Sequence, residues 1–303
     1  MHIIAIYVNI TMSVFRINTI SIMRPLAIYT IEVMYFQHYG LKEAPFNITP
    51  DPRFLFFTPR HREAFDHLLY GIEYRKGFIE LTGEVGAGKT TLCRAVLSRL
   101  SSKIRTAMIL NPCLTESQLL RAILADFGLS VKGRDRLAYI ECLNAFLLEQ
   151  LRNGNNVAVI IDEAQDLTPA LLEQVRLLSN LETDQHKLLQ IVLCGQPELK
   201  QRLAAPELRQ LRQRITVRYH LLPLTELEIG DYVRHRLQTA GWTGGELFSG
   251  EALHRVYEYS RGVPRLVNSL CDITMLAGYV ANSMEIGASH VDKAIRQLEG
   301  NLE

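Results

Sequence analysis

The sequence predicts an α/β protein in which a five-stranded parallel sheet is covered by helices and followed by a small all-helical domain. Five short apolar runs alternate with helical patterns between residues 34 and 223. One run leads into a glycine-rich loop and then a helix, and four helical patterns without an intervening strand follow Pro223. Strands that alternate with helices are typical of a parallel sheet buried on both faces. We therefore assign an α/β domain to residues 34–223 and a helical domain to residues 224–303.

The composition is that of a soluble globular protein. The chain has 303 residues, of which 48% are hydrophobic and 21% are charged, and its net charge is +1. This balance gives no global positive field, so it does not predict a protein that binds polyanions over its whole surface. The five cysteines are odd in number and form no CxxC pair. They favour buried thiols in a reducing compartment over a disulfide framework or a zinc site.

Residues 1–33 differ from the rest of the chain because they are rich in Ile, Tyr and Thr and almost free of acidic residues. Polar residues and a proline interrupt every stretch long enough to span a bilayer, and no small-residue cleavage site follows an apolar core. We interpret this segment as a non-native or disordered extension, with translation starting at Met34, rather than as a signal anchor. The remainder is expected in the cytoplasm, with peripheral attachment to the inner membrane as the alternative.

An amphipathic helix over HREAFDHLLYGIEYRKG precedes the first strand, and the purely apolar run VAVII suits a strand that is buried on both sides. Gly241, Gly262 and Gly287 lie at or beside the boundaries of the four C-terminal helices, where turns and caps need them. The five predicted strands cover residues 78–82, 105–110, 157–161, 189–194 and 216–221.

The stretch GEVGAGKT at residues 83–90 fits the phosphate-loop pattern GxxxxGK[ST] at every fixed position. Glycines let backbone N–H groups turn inward around phosphate oxygens, and the next helix presents its positive N-terminus to them. Lys89 can reach the β- and γ-phosphates, and the Thr90 hydroxyl can bind Mg²⁺. The strand before the loop and the helix after it favour this interpretation over a simple turn. The predicted nucleotide-binding residues are Gly83, Glu84, Val85, Gly86, Ala87, Gly88, Lys89, Thr90 and Thr91.

Asp162 and Glu163 follow the buried run VAVII directly. Ligands bind at the carboxyl ends of strands in open α/β sheets, so this pair is expected beside the phosphate loop. Asp162 would orient Mg²⁺, and Glu163 would activate the attacking water. The alternative is that the two carboxylates cap the next helix, but the phosphate loop in the same chain favours the catalytic interpretation. A glutamate here favours hydrolysis over phosphoryl transfer to another substrate.

Further polar residues are candidates to complete the site. The amide of Gln196, after the fourth strand, can bond the γ-phosphate or the attacking water, or it can begin a turn. Arg209, Arg212 and Arg214 are either solvated or, at a subunit interface, supply an arginine finger to a neighbour. Arg265 follows a fixed turn at a helix start, and its guanidinium is expected to point from the helical domain toward the nucleotide.

Six long strings lie along the chain in this order: MYFQHYGLKEAPFNITPDPRFLF, LTGEVGAGKTTLCR, VIIDEAQDL, LLSNLETDQHKLLQIVLCGQPEL, LRQLRQRITVRYHLLPL and SRGVPRLVNSLCD. With these strings, residues 34–299 resemble the AAA+ ATPases of the ExeA/GspA family. The resemblance implies a P-loop AAA+ fold of three αβα layers with a helical lid, and ATP hydrolysis that serves assembly of envelope machinery.

The resemblance also implies a role for each candidate residue. Residues 83–91 would be Walker A, and Asp162 and Glu163 would be Walker B. Gln196 would be sensor 1 and Arg265 sensor 2, with the adenine near residues 46–50 and the lid. Among the arginines, Arg214 best matches the finger, and two others are reserves: Arg209 and Arg212.

The leading functional hypothesis is an oligomeric ATPase that uses ATP and Mg²⁺ to drive or regulate assembly of an MSHA-type pilus or a type II secretion apparatus. The expected partners are further copies of the chain and inner-membrane assembly proteins. Longer family members continue into a membrane-spanning helix and a peptidoglycan-binding domain, whereas this chain resembles the short, pilus-type form, so no direct peptidoglycan binding is expected. Two alternatives are a DNA-binding regulator of transposition, which the near-neutral charge disfavours, and a nucleotide-gated scaffold with little turnover.

Overall fold

The computed structural model describes residues 31–131, 135–183 and 186–300. The described residues from Tyr35 onward form one compact unit. Residues 1–30, which make up most of the predicted N-terminal extension, lie outside the described part. None of the helices in the described ranges has the length and hydropathy of a membrane-spanning segment.

The predicted five-stranded parallel sheet is confirmed. Its strands lie side by side in the order β2-β3-β4-β1-β5, and every neighbouring pair is parallel. Each strand agrees with its predicted run to within one residue at either end. The bounds are β1 Phe78–Gly83, β2 Ile104–Ile109, β3 Asn156–Ile161, β4 Gln190–Gly195 and β5 Ile215–Leu221.

Helices cover both faces of the sheet and create three layers. Alternate residues of β3 point to opposite faces, so Val157 and Val159 pack with α4–α8 while Ala158 and Ile160 pack with α2 and α3. Both faces are therefore buried, as the unbroken apolar run predicts. The helices of these layers are α2 Pro59–Glu73, α3 Lys89–Arg99, α4 Glu116–Asp126, α5 Arg136–Arg152, α6 Pro169–Leu178, α7 Pro197–Leu203 and α8 Arg209–Arg214.

The C-terminal part is helical, as predicted. Its core also takes in apolar residues from the start of the unit, including Tyr35, Phe46 and Phe54, so the segment before β1 packs against the C-terminal helices. The bounds are α9 Glu226–Thr239, α10 Gly250–Ser260, α11 Pro264–Val280 and α12 Ala288–Leu298.

Two local features differ from the sequence-based expectation. Helix α1 (Ile31–Tyr39) precedes the loop that begins the predicted α/β domain. It was missed because its apolar residues do not follow a helical period. All five cysteines carry free thiols, but only Cys93, Cys194 and Cys271 are buried. The expectation of buried thiols was wrong for Cys113, which is exposed.

Candidate functional site

The loop between β1 and α3 forms a cradle of backbone groups. Gly86 and Gly88 have φ angles of +79° and +93°, a left-handed conformation that residues with a Cβ atom avoid. Gly88 is the N-cap of α3. The first turn of α3 therefore turns its unpaired N–H groups and the positive end of its dipole toward the loop, an arrangement that suits an anion.

Lys89 lies inside this cradle and is only 6% exposed. Its Nζ atom donates hydrogen bonds to the carbonyl oxygens of Gly83 and Glu84 at 2.8 and 2.9 Å. Within the described ranges, no carboxylate pairs with this ammonium group. A buried cation without a counter-charge is costly, so the site is prepared for an anionic ligand such as phosphate.

Asp162 is joined to the cradle through a hydroxyl group. Thr90 Oγ1 donates to Asp162 Oδ2 at 2.6 Å, and the Asp162 carboxylate is 3% exposed. Its other oxygen accepts the backbone N–H of Glu163 at 3.0 Å. The structure thus brings together the hydroxyl and the carboxylate that the sequence assigned to Mg²⁺. Oxygen ligands of this kind are those that Mg²⁺ prefers, so the donor set fits the ion.

Glu163 and Gln196, predicted as base and sensor, are in direct contact. Gln196 Nε2 donates to Glu163 Oε2 at 3.2 Å. Both side chains line the same cavity as the cradle. Strands β3 and β4 are neighbours, and parallel strands present their carboxyl ends at one edge of the sheet, which explains the contact.

A cavity of about 270 Å³ lies between the cradle, the segment before α2 and the C-terminal helices. Residues 47–50 line it, and residue 46 is buried in the helical core instead. Gly83 and Glu84 are not among the lining residues, and their carbonyl oxygens bond Lys89 instead. The main lining residues are Asn47, Ile48, Thr49, Pro50, Phe54, His61, Val85, Gly86, Ala87, Gly88, Lys89, Thr90, Thr91, Glu163, Gln196, Tyr232, Arg236, Arg265 and Asn268.

Arg265 reaches the cavity from the first turn of α11, where it was expected. Its backbone N–H donates to the carbonyl oxygen of Gly86 at 3.2 Å. A Cβ atom on Gly86 would lie 2.5 Å from the Arg265 Cβ, so the helical part rests directly on the phosphate loop. The Arg265 side chain is exposed at the cavity rim. The phosphate loop and the first turn of α11 therefore line the same cavity.

Sequence reasoning missed Arg236, which holds the base of the cavity together. The side chain is 7% exposed and donates to the carbonyl oxygens of Pro45 and Asn47 at 2.5 and 2.9 Å. Its guanidinium also lies 4.8 Å from the ring centre of Phe54. These partners are 180 residues or more away in sequence, and a lone arginine in an amphipathic helix gives no signal of such contacts.

His61 also lines the cavity and was not predicted. It is buried at the start of α2, and its Nδ1 lies 2.8 Å from Thr58 Oγ1. Burial lowers the pKa of His61 below its ordinary value, so the ring is held neutral.

The three finger candidates lie away from the cavity. Arg209 and Arg212 are exposed on α8, whereas Arg214 Nη1 donates to Ser179 Oγ and Asn180 Oδ1 at 2.5 and 2.6 Å, just after α6. Arg214 directly precedes β5 and therefore lies at the amino-terminal ends of the parallel strands, whereas the phosphate loop follows the carboxyl end of β1. A strand of this length spans about 20 Å. These arginines therefore cannot contact phosphates bound in the cradle of their own chain.

The comparisons with known proteins agree with this geometry. Residues 72–203, from the end of α2 through α7, match a family model described as an AAA domain. The AAA domain is therefore assigned to this segment, residues 72–203. The predicted resemblance to the ExeA/GspA family is also confirmed. The chain is 47% identical over 268 residues to general secretion pathway protein A of Aeromonas hydrophila, an alignment that covers 88% of this chain and 49% of that protein. This chain thus spans about half the length of this relative.

Several solved structures are similar to this chain in fold. Cdc6p from Pyrobaculum aerophilum has a TM-score of 0.64 at 18% identity, with 84% of this chain and 70% of that chain covered. The RuvB branch migration motor of Thermotoga maritima has a TM-score of 0.53 at 20% identity, with coverages of 78% and 69%. At such low identities, these similarities establish the shared fold alone.

Proposed function

We propose that this protein is an ATPase that hydrolyses ATP with Mg²⁺ and serves assembly of a secretion or pilus apparatus in the cell envelope. The observation that carries the proposal is that Lys89, Thr90 and Glu163 line one cavity. The Lys89 ammonium is buried there, and the Thr90 hydroxyl bonds the Asp162 carboxylate. They match the needs of phosphate binding, metal binding and water activation.

Each group has a distinct task in this reaction. The cradle amides and Lys89 bind the phosphate oxygens, which requires the ammonium to exchange at least one loop carbonyl for phosphate. Mg²⁺, held through Thr90 and Asp162, would neutralise charge on the phosphates. Glu163 accepts the proton of the attacking water, and Gln196 bonds the water or the γ-phosphate. The Arg265 guanidinium adds positive charge from the lid side of the cavity.

The proposal includes a homo-oligomer, because Arg214 lies too far from its own cradle to act there. The Arg214 guanidinium lies at the amino-terminal ends of the strands, so it can stabilise the transition state only in a neighbouring subunit. Arg214→Ala should lower hydrolysis while ATP affinity stays intact. Mixing it with Lys89→Ala should restore part of the activity at hybrid interfaces, and absence of this rescue would argue against a shared site.

The envelope role is supported by the relative, general secretion pathway protein A, which is similar over 88% of this chain. We place the protein on the cytoplasmic side of the inner membrane. A deletion strain complemented with Glu163→Gln should lose surface pili or secreted proteins as the strain without the gene does. Full complementation by this variant would favour the scaffold alternative.

The direct test is ATP binding and steady-state hydrolysis by the purified protein, by Lys89→Ala and by Lys200→Ala, a control at an exposed lysine of α7. Lys89→Ala should weaken ATP binding by about tenfold or more, since a charged hydrogen-bonding group is removed, and Lys200→Ala should match wild type. ATP binding without turnover would support the scaffold alternative. Salt-sensitive stimulation by DNA would support the transposition alternative.

A further inference from the structure

Gln165 lies between the two residues that the proposed reaction assigns to water activation and sensing. It is 7% exposed and belongs to the short 3-10 turn Ala164–Asp166 after Glu163. Its Oε1 accepts the backbone N–H of Gln196 at 3.0 Å, and its Nε2 donates to Glu163 Oε2 at 2.8 Å. One amide group therefore connects the carboxyl end of β3 with that of β4.

The orientation of this amide is fixed by its surroundings. A backbone N–H can only donate, so the Gln165 atom that faces Gln196 must be the carbonyl oxygen, and the NH₂ group must face Glu163. The backbone beside it leaves just enough room. A Cβ atom on Gly195 would lie 2.9 Å from Gln165 Oε1 and 2.9 Å from Leu199. The glycine therefore lets the amide sit against β4.

The amide acts on a carboxylate with two unlike oxygens. Glu163 Oε2 accepts from both Gln165 and Gln196, at 2.8 and 3.2 Å. Among the described residues, neither these two side chains nor any other group donates a hydrogen bond to Oε1. The Glu163 backbone has φ +50°, a conformation that non-glycine residues keep only where their surroundings enforce it. Two donors on one oxygen thus fix the carboxylate and leave the other oxygen free.

We propose that Gln165 is a positioning residue that holds Glu163 with Oε1 directed at the attacking water. This inference rests on the proposed ATPase function. The water oxygen bonds to the γ-phosphorus while its proton passes to Glu163 Oε1, and the bond from the γ-phosphorus to the bridging oxygen breaks to give ADP and phosphate. Gln165 touches neither water nor nucleotide and acts through Glu163 and Gln196.

Two substitutions separate positioning from structural support. Gln165→Glu keeps the acceptor for the Gln196 N–H but loses the donor to Glu163. It should lower kcat by about 10- to 100-fold, the cost of a misplaced catalytic group, without loss of ATP affinity. Its Tm should also fall, because two buried carboxylates would then face each other. Gln165→Met keeps the volume but loses both bonds. It should show the same loss of kcat together with a lower Tm.

Gln190 provides the matched control. Gln190 is a buried glutamine like Gln165, but it lies in β4 at the end of the strand away from the site. Its Oε1 accepts the backbone N–H of Gly77 at 2.8 Å. Gln190→Met should lower Tm but leave kcat and KM of the folded protein unchanged. In a Glu163→Gln background, Gln165→Met should cause no further loss of kcat, because the group that it positions is already gone.

The outcomes distinguish this inference from the function on which it rests. Wild-type kcat in both Gln165→Glu and Gln165→Met would overturn the inference and leave the ATPase proposal intact. An equal loss of kcat in Gln190→Met, or a full additional loss in the Glu163→Gln background, would show a structural role and overturn it as well. A wild-type protein without any turnover would contradict the proposed function and the inference with it.

Discussion

Gly86→Ala probes the contact between the phosphate loop and the helical lid. Gly86 has φ +79°, and an added Cβ would lie 2.5 Å from the Arg265 Cβ in the first turn of α11. Gly128, in the turn after α4, has φ +78° but no heavy atom within 4 Å of the same added atom. The two positions therefore share the backbone strain, and only Gly86 has the lid contact.

The expected magnitudes follow from these two terms. A left-handed conformation costs an L-residue about 1–2 kcal/mol, so Gly128→Ala should lower the free energy of unfolding by that amount. Gly86→Ala should lose about 1–3 kcal/mol more, the usual cost of forcing an extra carbon into a packed contact. The difference between the two variants thus measures the close approach of lid and loop.

Urea unfolding of both variants gives the free energies, and hydrogen exchange of the α11 amides locates the effect. Gly86→Ala should unfold at lower urea than Gly128→Ala and should exchange faster near Arg265. Equal unfolding midpoints together with unchanged exchange at α11 would refute the contact and, with it, the cavity shared by the phosphate loop and α11.

Two further predictions concern residues that line the cavity. Arg236→Met should lower the free energy of unfolding by about 2–4 kcal/mol, because the carbonyl groups of Pro45 and Asn47 lose a charged donor. In the same urea titration, substitution of an exposed arginine, Arg234→Met, should cost under about 1 kcal/mol. Equal costs for the two variants would contradict the role assigned to Arg236. Because burial lowers the pKa of His61, the stability that the neutral ring confers is full above about pH 6.5 and is lost as the pH falls toward the folded-state pKa. His61→Gln should therefore flatten this part of a plot of urea midpoint against pH. An unchanged plot would contradict this role of His61.

Local patterns were sufficient to predict the sheet and the placement of several candidate residues beside the phosphate loop. The apolar runs mark strands because each must be buried on two faces, and the glycines of the phosphate loop mark backbone that needs positive φ. Asp162 and Glu163 could be placed beside the loop because the carboxyl ends of parallel strands lie together. These inferences need only the chain within a few residues of each motif.

Contacts between distant segments were not predictable in this way. Gln165 lies in the same short string as Glu163, but its role depends on the backbone N–H of Gln196, the residue after β4 and 31 residues further along the chain. Arg236 likewise depends on carbonyl groups far upstream, and α1 depends on packing against the helical core. One sequence shows residue types and spacing, whereas hydrogen bonds across strands and domains follow from tertiary packing.

Release of phosphate from bound ATP by Glu163→Gln, compared with wild type, tests the central claim most directly. Glu163 lines the cavity, and its amide variant keeps the shape but cannot take a proton. With Mg²⁺ present, wild type should release phosphate at a steady rate, and Glu163→Gln should bind ATP as tightly while phosphate release falls by about 100-fold or more, the usual contribution of a general base. Equal rates of phosphate release from the two proteins would contradict the assignment of Glu163 as the base that activates water.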